Sequence, residues 1–493
     1  MKRIALLLAF TISIVSSYAQ SFEAAMPFTK SIDTKDLYKH LSILASDEYE
    51  GRETGKEGQR KASAYIQNEF QKMGLVAPSA AGYKQDIALA QKVLATRKLI
   101  INQKEMIIGD EFSVAKDRLA IEALSNEIVF VGYGITEGNY NSFKNIDVAN
   151  KVVVVLSGEP KVDGKFLLSA DGSKTKWSDR KTKIEAIRKL NPGLIIYIDN
   201  DYDKYKTFYK HQLESNALTL SYKSKLATDV PVITAGSAVA NELFAPNKKS
   251  YDKIIASYSK SKKAKKYIIL KSTIQVQITF IEQAVSSDNV LAMIPGSTIT
   301  DEYLFVTAHY DHIGVTDGKV FNGADDDGSG TVSLLEIAQA FMDAKKVGLG
   351  PKRNIIFMAV SGEEKGLLGS QYYTDHPIVP LDKTIADLNI DMVGRIDEVH
   401  QKDTNYVYII GADKLSSELN EINVRAGEDI EINLVCNNES ILNHNIVVNA
   451  FVNKASSISF SKDRFISGDM IFIKTLELNE ADNFTIWAVV EKI

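Results

Sequence analysis

Cysteine is nearly absent from this sequence: of 493 residues only Cys436 is one. A disulfide framework within the chain is thereby excluded, and stability has to come from packing, with or without metal. A lone cysteine of this kind reads as an inert buried residue rather than a reactive thiol. An excess of positive charge is also missing. The formal net charge is -5, spread without any basic stripe, which excludes nucleic acid as a partner. Long apolar runs are lacking too. The run Ile4 to Val15 is about a dozen residues, short of the roughly twenty that a spanning helix needs. Lys2 and Arg3 precede it, and Ser17-Tyr18-Ala19 sets small residues before Gln20, so residues 1–19 read as a secretory signal peptide. The expected location is periplasmic or extracellular. No cysteine follows the run, which argues against a lipid anchor, and no later segment reaches spanning length.

What remains is the composition of an ordinary globular protein, 45% hydrophobic and 25% charged, long enough for two or three domains. Asp33 or Thr34 can cap a helix through Leu37, Leu41 and Leu44. A second helix places Ala62, Tyr65, Ile66, Phe70 and Met73 on one face and stops at Gly74. From residue 121 the texture changes to short strands, Ile128 to Tyr133, Val152 to Leu156, Leu194 to Ile198 and Val230 to Thr234. Residues 121–250 therefore read as an inserted β-rich domain, with 20–120 before it as the first part of the main domain. Lys248 to Lys266 reads as a solvated connector.

From Asn289 onward strands and helices alternate. Leu304 to Ala308, Ile355 to Val360 and Ala386 to Ile390 have strand length, and a helix runs from Gly330 through Val332, Leu335, Ala338 and Met342. The fold class this predicts is α/β, a mixed and mostly parallel sheet with helices on both faces. In such sheets ligands gather at the carboxyl ends of the strands. His309 and Asp311, then Glu363 and Glu364, then Asp391 fall at three such ends. Asn322-Gly-Ala-Asp-Asp326-Asp-Gly-Ser-Gly330 forms an acidic loop before the helix. One imidazole among several carboxylates is costly to assemble without a cation, because like charges repel. Nitrogen and oxygen donors of this mix suit zinc, with Mn and Co left open. The DxDxDG spacing of an EF-hand calcium loop does not occur.

Taken one at a time, an acidic glycine-rich loop is usually a cap or turn, and a single histidine usually a satisfied one. Together, Thr307-Ala-His309-Tyr-Asp311-His312-Ile-Gly314, the 322–330 loop, Ser361-Gly-Glu363-Glu364-Lys-Gly-Leu-Leu-Gly-Ser370 and Asn389-Ile-Asp391-Met resemble the M28 family of co-catalytic zinc peptidases. Leu44-Ala-Ser-Asp-Glu-Tyr-Glu-Gly-Arg52-Glu-Thr-Gly55 is similar to the front of bacterial members. Residues 121–250 resemble the protease-associated insert that many of them carry.

The resemblance implies an aminopeptidase acting on peptides, with two zinc ions expected and one possible. It makes His309 and Asp391 ligands of one zinc, Asp326 the bridge and Glu364 a ligand of the other. Glu363 becomes the general base, and Asp311 holds the His309 imidazole and fixes its tautomer. His312 is read as a supporting or surface residue.

The family's further histidine ligand has no clear counterpart. Beyond Asp391 only His400 and His444 remain, and His444 is the candidate. The catalytic part of the main domain is expected over 251–430. The segment 431–493 departs from the family pattern, as a diverged ending or a shifted reading frame. Impaired activity is therefore an expectation. Two alternatives stay open, a glutaminyl cyclase-type acyl transferase with one zinc and a non-catalytic binding ectodomain.

Overall fold

The computed structural model describes residues 27–410, apart from 216, 249, 259–260, 399 and 402–405. Residues 1–19, read above as a signal peptide, Cys436, His444 and the segment 431–493 lie outside the described residues. Among the described residues the chain divides into two compact units, one drawn from residues 1–89 and 285–493 and the other from residues 90–284.

In the first unit, helix α1 spans Thr34–Leu44. The Asp33 carboxylate accepts from the main-chain N–H groups of Lys35 and Asp36, both at 2.9 Å, a cap worth about 1 kcal/mol. Helix α2 spans Glu57–Met73 and stops where Gly74 turns into the left-handed region, φ 89°. Strands β1 (Lys84–Ile101) and β2 (Ile274–Ile294) carry the chain across the boundary between the units. Strand β3 (Ile299–His309), helix α3 (Gly330–Lys346), strand β4 (Arg353–Val360), helix α4 (Leu368–Asp375) and strand β5 (Thr384–Asn389) complete the unit.

The strand order is β2-β4-β3-β5. Residues Val290–Ile294 of β2 run antiparallel to β4, while β3 is parallel to both β4 and β5. Alternation along the strands sends side chains to opposite faces. Leu304, Val306 and Ala308 join Ile355, Phe357 and Ala359 under α1, α2 and α3. Phe305 joins Leu291, Ile356, Met358 and Tyr373 of α4 on the other face. The fold is thus mixed α/β with helices on both faces of the sheet. Every strand predicted here has its counterpart, and so do both early helices and the helix after Gly330.

The second unit has its own sheet. Strands Ile128–Phe130, Val152–Leu156, Leu194–Ile198 and Val232–Ala235 are parallel neighbours in that order. They are flanked by antiparallel strands Ile268–Leu270 and Phe112–Val114. Val152–Leu156 and Leu194–Ile198 are buried throughout, as strands covered on both faces must be.

This unit is wider than the predicted insert at both ends, 90–284 rather than 121–250, because its edge strands come from 112–114 and 268–270. It also carries four helices that strand-like texture did not reveal, Arg180–Arg188, Tyr202–Glu214, Ser237–Phe244 and Tyr251–Tyr258. The last of these replaces part of the predicted connector, and Tyr251, Ile254 and Tyr258 are its buried face. Among the described residues no helix is long and apolar enough to cross a membrane.

Candidate metal centre

Because β3, β4 and β5 are parallel, their carboxyl ends share one edge of the sheet, and one cluster of histidines and acids collects there. His309 closes β3, Glu363 and Glu364 follow β4, and Asp391 follows β5. The acidic loop 324–329 leads into α3 and is tied to the segment after β5. Asp327 Oδ1 accepts from the N–H groups of Gly330 (2.9 Å) and Met392 (3.1 Å), and Asp325 Oδ1 accepts from that of Gly394 (2.9 Å). A carboxylate at the first turn of α3 also meets the positive end of the helix dipole.

The His309 ring is buried. Its Nδ1 lies 3.1 Å from the main-chain carbonyl of Asp311, which as an acceptor fixes the proton on Nδ1 and leaves the Nε2 lone pair facing inward. Nε2 is 3.2 Å from Asp326 Oδ1, 3.7 Å from Asp391 Oδ1 and 3.9 Å from Glu363 Oε2. The Asp311 carboxylate, predicted to hold the imidazole, stands 3.9 Å from Nδ1. It accepts instead from Thr54 Oγ1 at 2.6 Å and from the Glu363 main-chain N–H at 3.2 Å. Its nearest effect is therefore on the segment that carries Glu363, and the tautomer contact is made by its backbone.

Two groups of possible ligands result, each a histidine with two acids whose donor atoms lie within 4.8 Å of one another. One is His309, Asp327 and Asp391, and the other is His312, Asp326 and Glu364. Asp326 belongs to the second group yet lies nearest to His309, so its carboxylate faces both. Asp327 and His312 were not among the residues the sequence singled out as ligands. They sit next to residues that were, and spacing alone does not say which neighbour points inward. His400, by contrast, bonds to Asp397 at 2.8 Å and stacks on Tyr406.

The donor set fits a divalent cation. His312 Nδ1, Asp327 Oδ2, Glu364 Oε1 and Asp391 Oδ1 are buried without a hydrogen-bond partner. An orphaned buried polar atom costs about 1–3 kcal/mol, and four at one site call for a shared counter-charge.

The titration of these side chains reflects the same crowding. Burial pushes the Glu363 carboxyl up to about 7, against the nearby His309 and with the help of Asp311, Asp391 and Glu364. Burial and then Asp391 hold Asp327 well above the usual carboxylate range. Burial works against protonation of His309, but Asp326 and Asp391 outweigh it and raise the group well above its ordinary value.

Beneath the cluster lies Arg52, fully buried. Its guanidinium donates to the carbonyls of Tyr310 (2.7 Å), Leu44 (2.7 Å), Asn322 (2.7 Å) and Gly323 (2.8 Å). One side chain thus joins α1, the end of β3 and the start of the acidic loop. Burial lowers its pKa to about 10, still far above neutrality, so the charge persists under the acids. Arg52 and Thr54 lie in the early stretch that the motif reading had noted only for its resemblance.

The scaffold is an α/β sheet whose carboxyl edge presents two groups of imidazole and acids that could hold metal. Residues 289–434 match the model of Peptidase family M28, and this stretch is a Peptidase family M28 domain. Aminopeptidase YwaD of Bacillus subtilis is 37% identical over 94 residues, 19% of this chain and 18% of that protein. Leucine aminopeptidase 1 of Penicillium rubens is 42% identical over 86 residues, 17% of this chain and 22% of that protein. The alignments thus span about a fifth of these relatives' lengths. The solved structure of an aminopeptidase from Aneurinibacillus sp. strain AM-1 superposes with a TM-score of 0.46 at 17% identity, covering 83% of this chain and 82% of that one.

Proposed function

We propose that this protein is an exported zinc-dependent aminopeptidase that removes N-terminal residues from peptides. The observation that carries the reading is the pair of histidine–acid groups around Asp326, with Glu363 beside them and partly open to solvent, its side chain 35% exposed. The family match and the aminopeptidase relatives support it. The pattern of residues 1–19 supports export.

His309, Asp326, Asp391 and Glu364 are the residues proposed to hold the metal, with Asp327 set against Asp391. Bound divalent cations supply Lewis acidity, which lowers the pKa of water and offsets negative charge developing on the scissile carbonyl oxygen. Glu363 takes the proton from the attacking water and returns it to the departing amine. A carboxylate beside the attacking water can make both transfers. Asp311 holds the Glu363 main chain, so the base stays within reach of the reacting atoms. Two ligand groups, rather than one, favour hydrolysis over the single-zinc cyclase alternative.

The test is metal content together with turnover of a panel of aminoacyl chromogenic substrates, run beside Glu363→Gln. The expected result is bound zinc in both proteins, release of free amino acid by the wild type, and a roughly 10²–10⁴-fold lower kcat in the variant. A pyroglutamyl product from a Gln-led peptide would assign the cyclase reading instead, and equal turnover by the two proteins would remove Glu363 from the reaction.

A further inference from the structure

The chain has seven histidines. Among the described residues His309 and His312 are the two in the ligand groups. His40 sits against Tyr65 and Glu336, and His400 against Asp397. His312 follows β3, and its ring has a prepared seat. Its main-chain N–H donates to the Arg52 carbonyl at 3.2 Å, and it forms a parallel bridge with Glu53. The ring lies against Gly323, where a Cβ would come within 2.6 Å of ring atoms Cγ and Cδ2. Gly323 also has φ 57°, so glycine is required there twice over, for the turn and for the imidazole.

The donor atom of this ring is oriented but unsatisfied. His312 Nδ1 is 2.6 Å from Glu364 Oε1, yet neither atom makes a hydrogen bond and both are buried. Two donor atoms that approach closely without hydrogen-bond alignment are aimed at a common point rather than at each other. An Asp326 carboxylate oxygen completes the triangle. Imidazole nitrogen with two carboxylates is a ligand set suited to zinc, and it repeats the chemistry of the group around His309.

We propose that His312, through Nδ1, is the nitrogen ligand of the second cation, with Glu364 and Asp326 as its oxygen ligands. Each cation then has its own imidazole, and all the ligands come from residues 309–391. This inference rests on the metal reading above and goes beyond it by assigning the second nitrogen donor to a residue three positions after the first.

The test is zinc stoichiometry and stepwise affinity of the full chain by competition with a chromogenic chelator, with cobalt(II) absorption spectra recorded at each equivalent. The proteins compared are wild type, His312→Ala, His312→Asn and His444→Ala. The expected wild-type result is two equivalents. Both His312 variants should keep the first and lose at least about 100-fold in affinity at the second, a loss larger than the 10–100-fold typical of a supporting contact. The cobalt spectrum at the second equivalent should change in both, while His444→Ala binds as wild type.

Retention of the first equivalent serves as the folding control. Should either His312 variant fail to retain it, the spectrum of the second cobalt equivalent in the other decides. Two equivalents of wild-type affinity in the His312 variants would overturn the assignment, as would a single equivalent in the wild type, while the metal reading itself stands. A wild-type chain that binds no metal would overturn both.

Discussion

The main-chain N–H of Glu363 donates to the Asp311 carboxylate at 3.2 Å, and the same carboxylate is held from its other side by Thr54 Oγ1 at 2.6 Å. A buried acid therefore anchors the residue proposed to move the proton. Asp311→Ala should lower kcat about 100-fold, the size of effect that a small misplacement of a reacting group produces, while the metal content stays at the wild-type level. Thr54→Val removes one of the two bonds and should cost about 1 kcal/mol of stability with a smaller fall in kcat. Steady-state kinetics beside metal analysis checks both. A loss of metal in Asp311→Ala would mean that its carboxylate supports the ligands instead.

Arg52 provides a second test, because a guanidinium can reach four carbonyls at once and an ammonium cannot. Arg52→Lys cannot serve the carbonyls of Leu44, Tyr310 and Asn322 together, and should destabilise the protein by about 2–4 kcal/mol by urea unfolding. Zinc affinity should fall with it, since the end of β3 and the acidic loop lose their common tie. Unchanged stability would show that the fork is dispensable.

Gly330 opens α3 with its backbone against Asp327. A Cβ there would overlap both oxygens of that carboxylate and would also meet the Ile390 carbonyl at 2.5 Å. Helix propensity alone favours alanine over glycine by about 1 kcal/mol. The overlap should reverse that sign, so Gly330→Ala is expected to melt at a lower temperature than wild type and to bind zinc more weakly. A higher melting temperature with unchanged zinc binding would show that Asp327 can move aside at no cost.

A pH dependence follows from Asp387, buried on β5, with Thr307 Oγ1 donating to it at 3.0 Å. Burial raises this carboxyl from 3.8 to about 8. Below pH 3.8 both folded and unfolded chains hold the proton, and the group does not affect the balance. Between 3.8 and about 8 the unfolded chain releases it while the folded chain retains it, so stability falls as pH rises, by at most about 1.4 kcal/mol per pH unit. Asp387→Asn should flatten that part of the profile and be the more stable protein at neutral pH. Urea unfolding of both proteins between pH 4 and 8, in chelator, reads the difference. Parallel profiles would show that Asp387 is ionised in the folded state.

Much of this could be read from the chain. The apolar strands that become β3, β4 and β5 are short, continuous and bounded by turn residues, so both the sheet and its ligand-bearing edge were legible. The spacing of Tyr251, Ile254 and Tyr258 also carried a helical signal, but the surrounding lysines suggested a solvated connector. β1 and β2 were not read because Lys, Arg, Gln and Glu interrupt their apolar residues. At the site, His309, Asp326, Glu363, Glu364 and Asp391 were each singled out, and the structure brings them together. Arg52, Asp327 and His312 were not. Their contribution depends on where a side chain points once distant segments have met, and no local pattern encodes that.

The parallel arrangement of β3, β4 and β5 has a thermodynamic consequence. Segments far apart in the chain become neighbours only when all three strands are in register, so the unfolded polypeptide offers a cation no comparable cage. Uptake of the ion and acquisition of the native state are then one linked equilibrium. The free zinc of the surroundings would set how much of the protein is folded as well as how much of it is loaded.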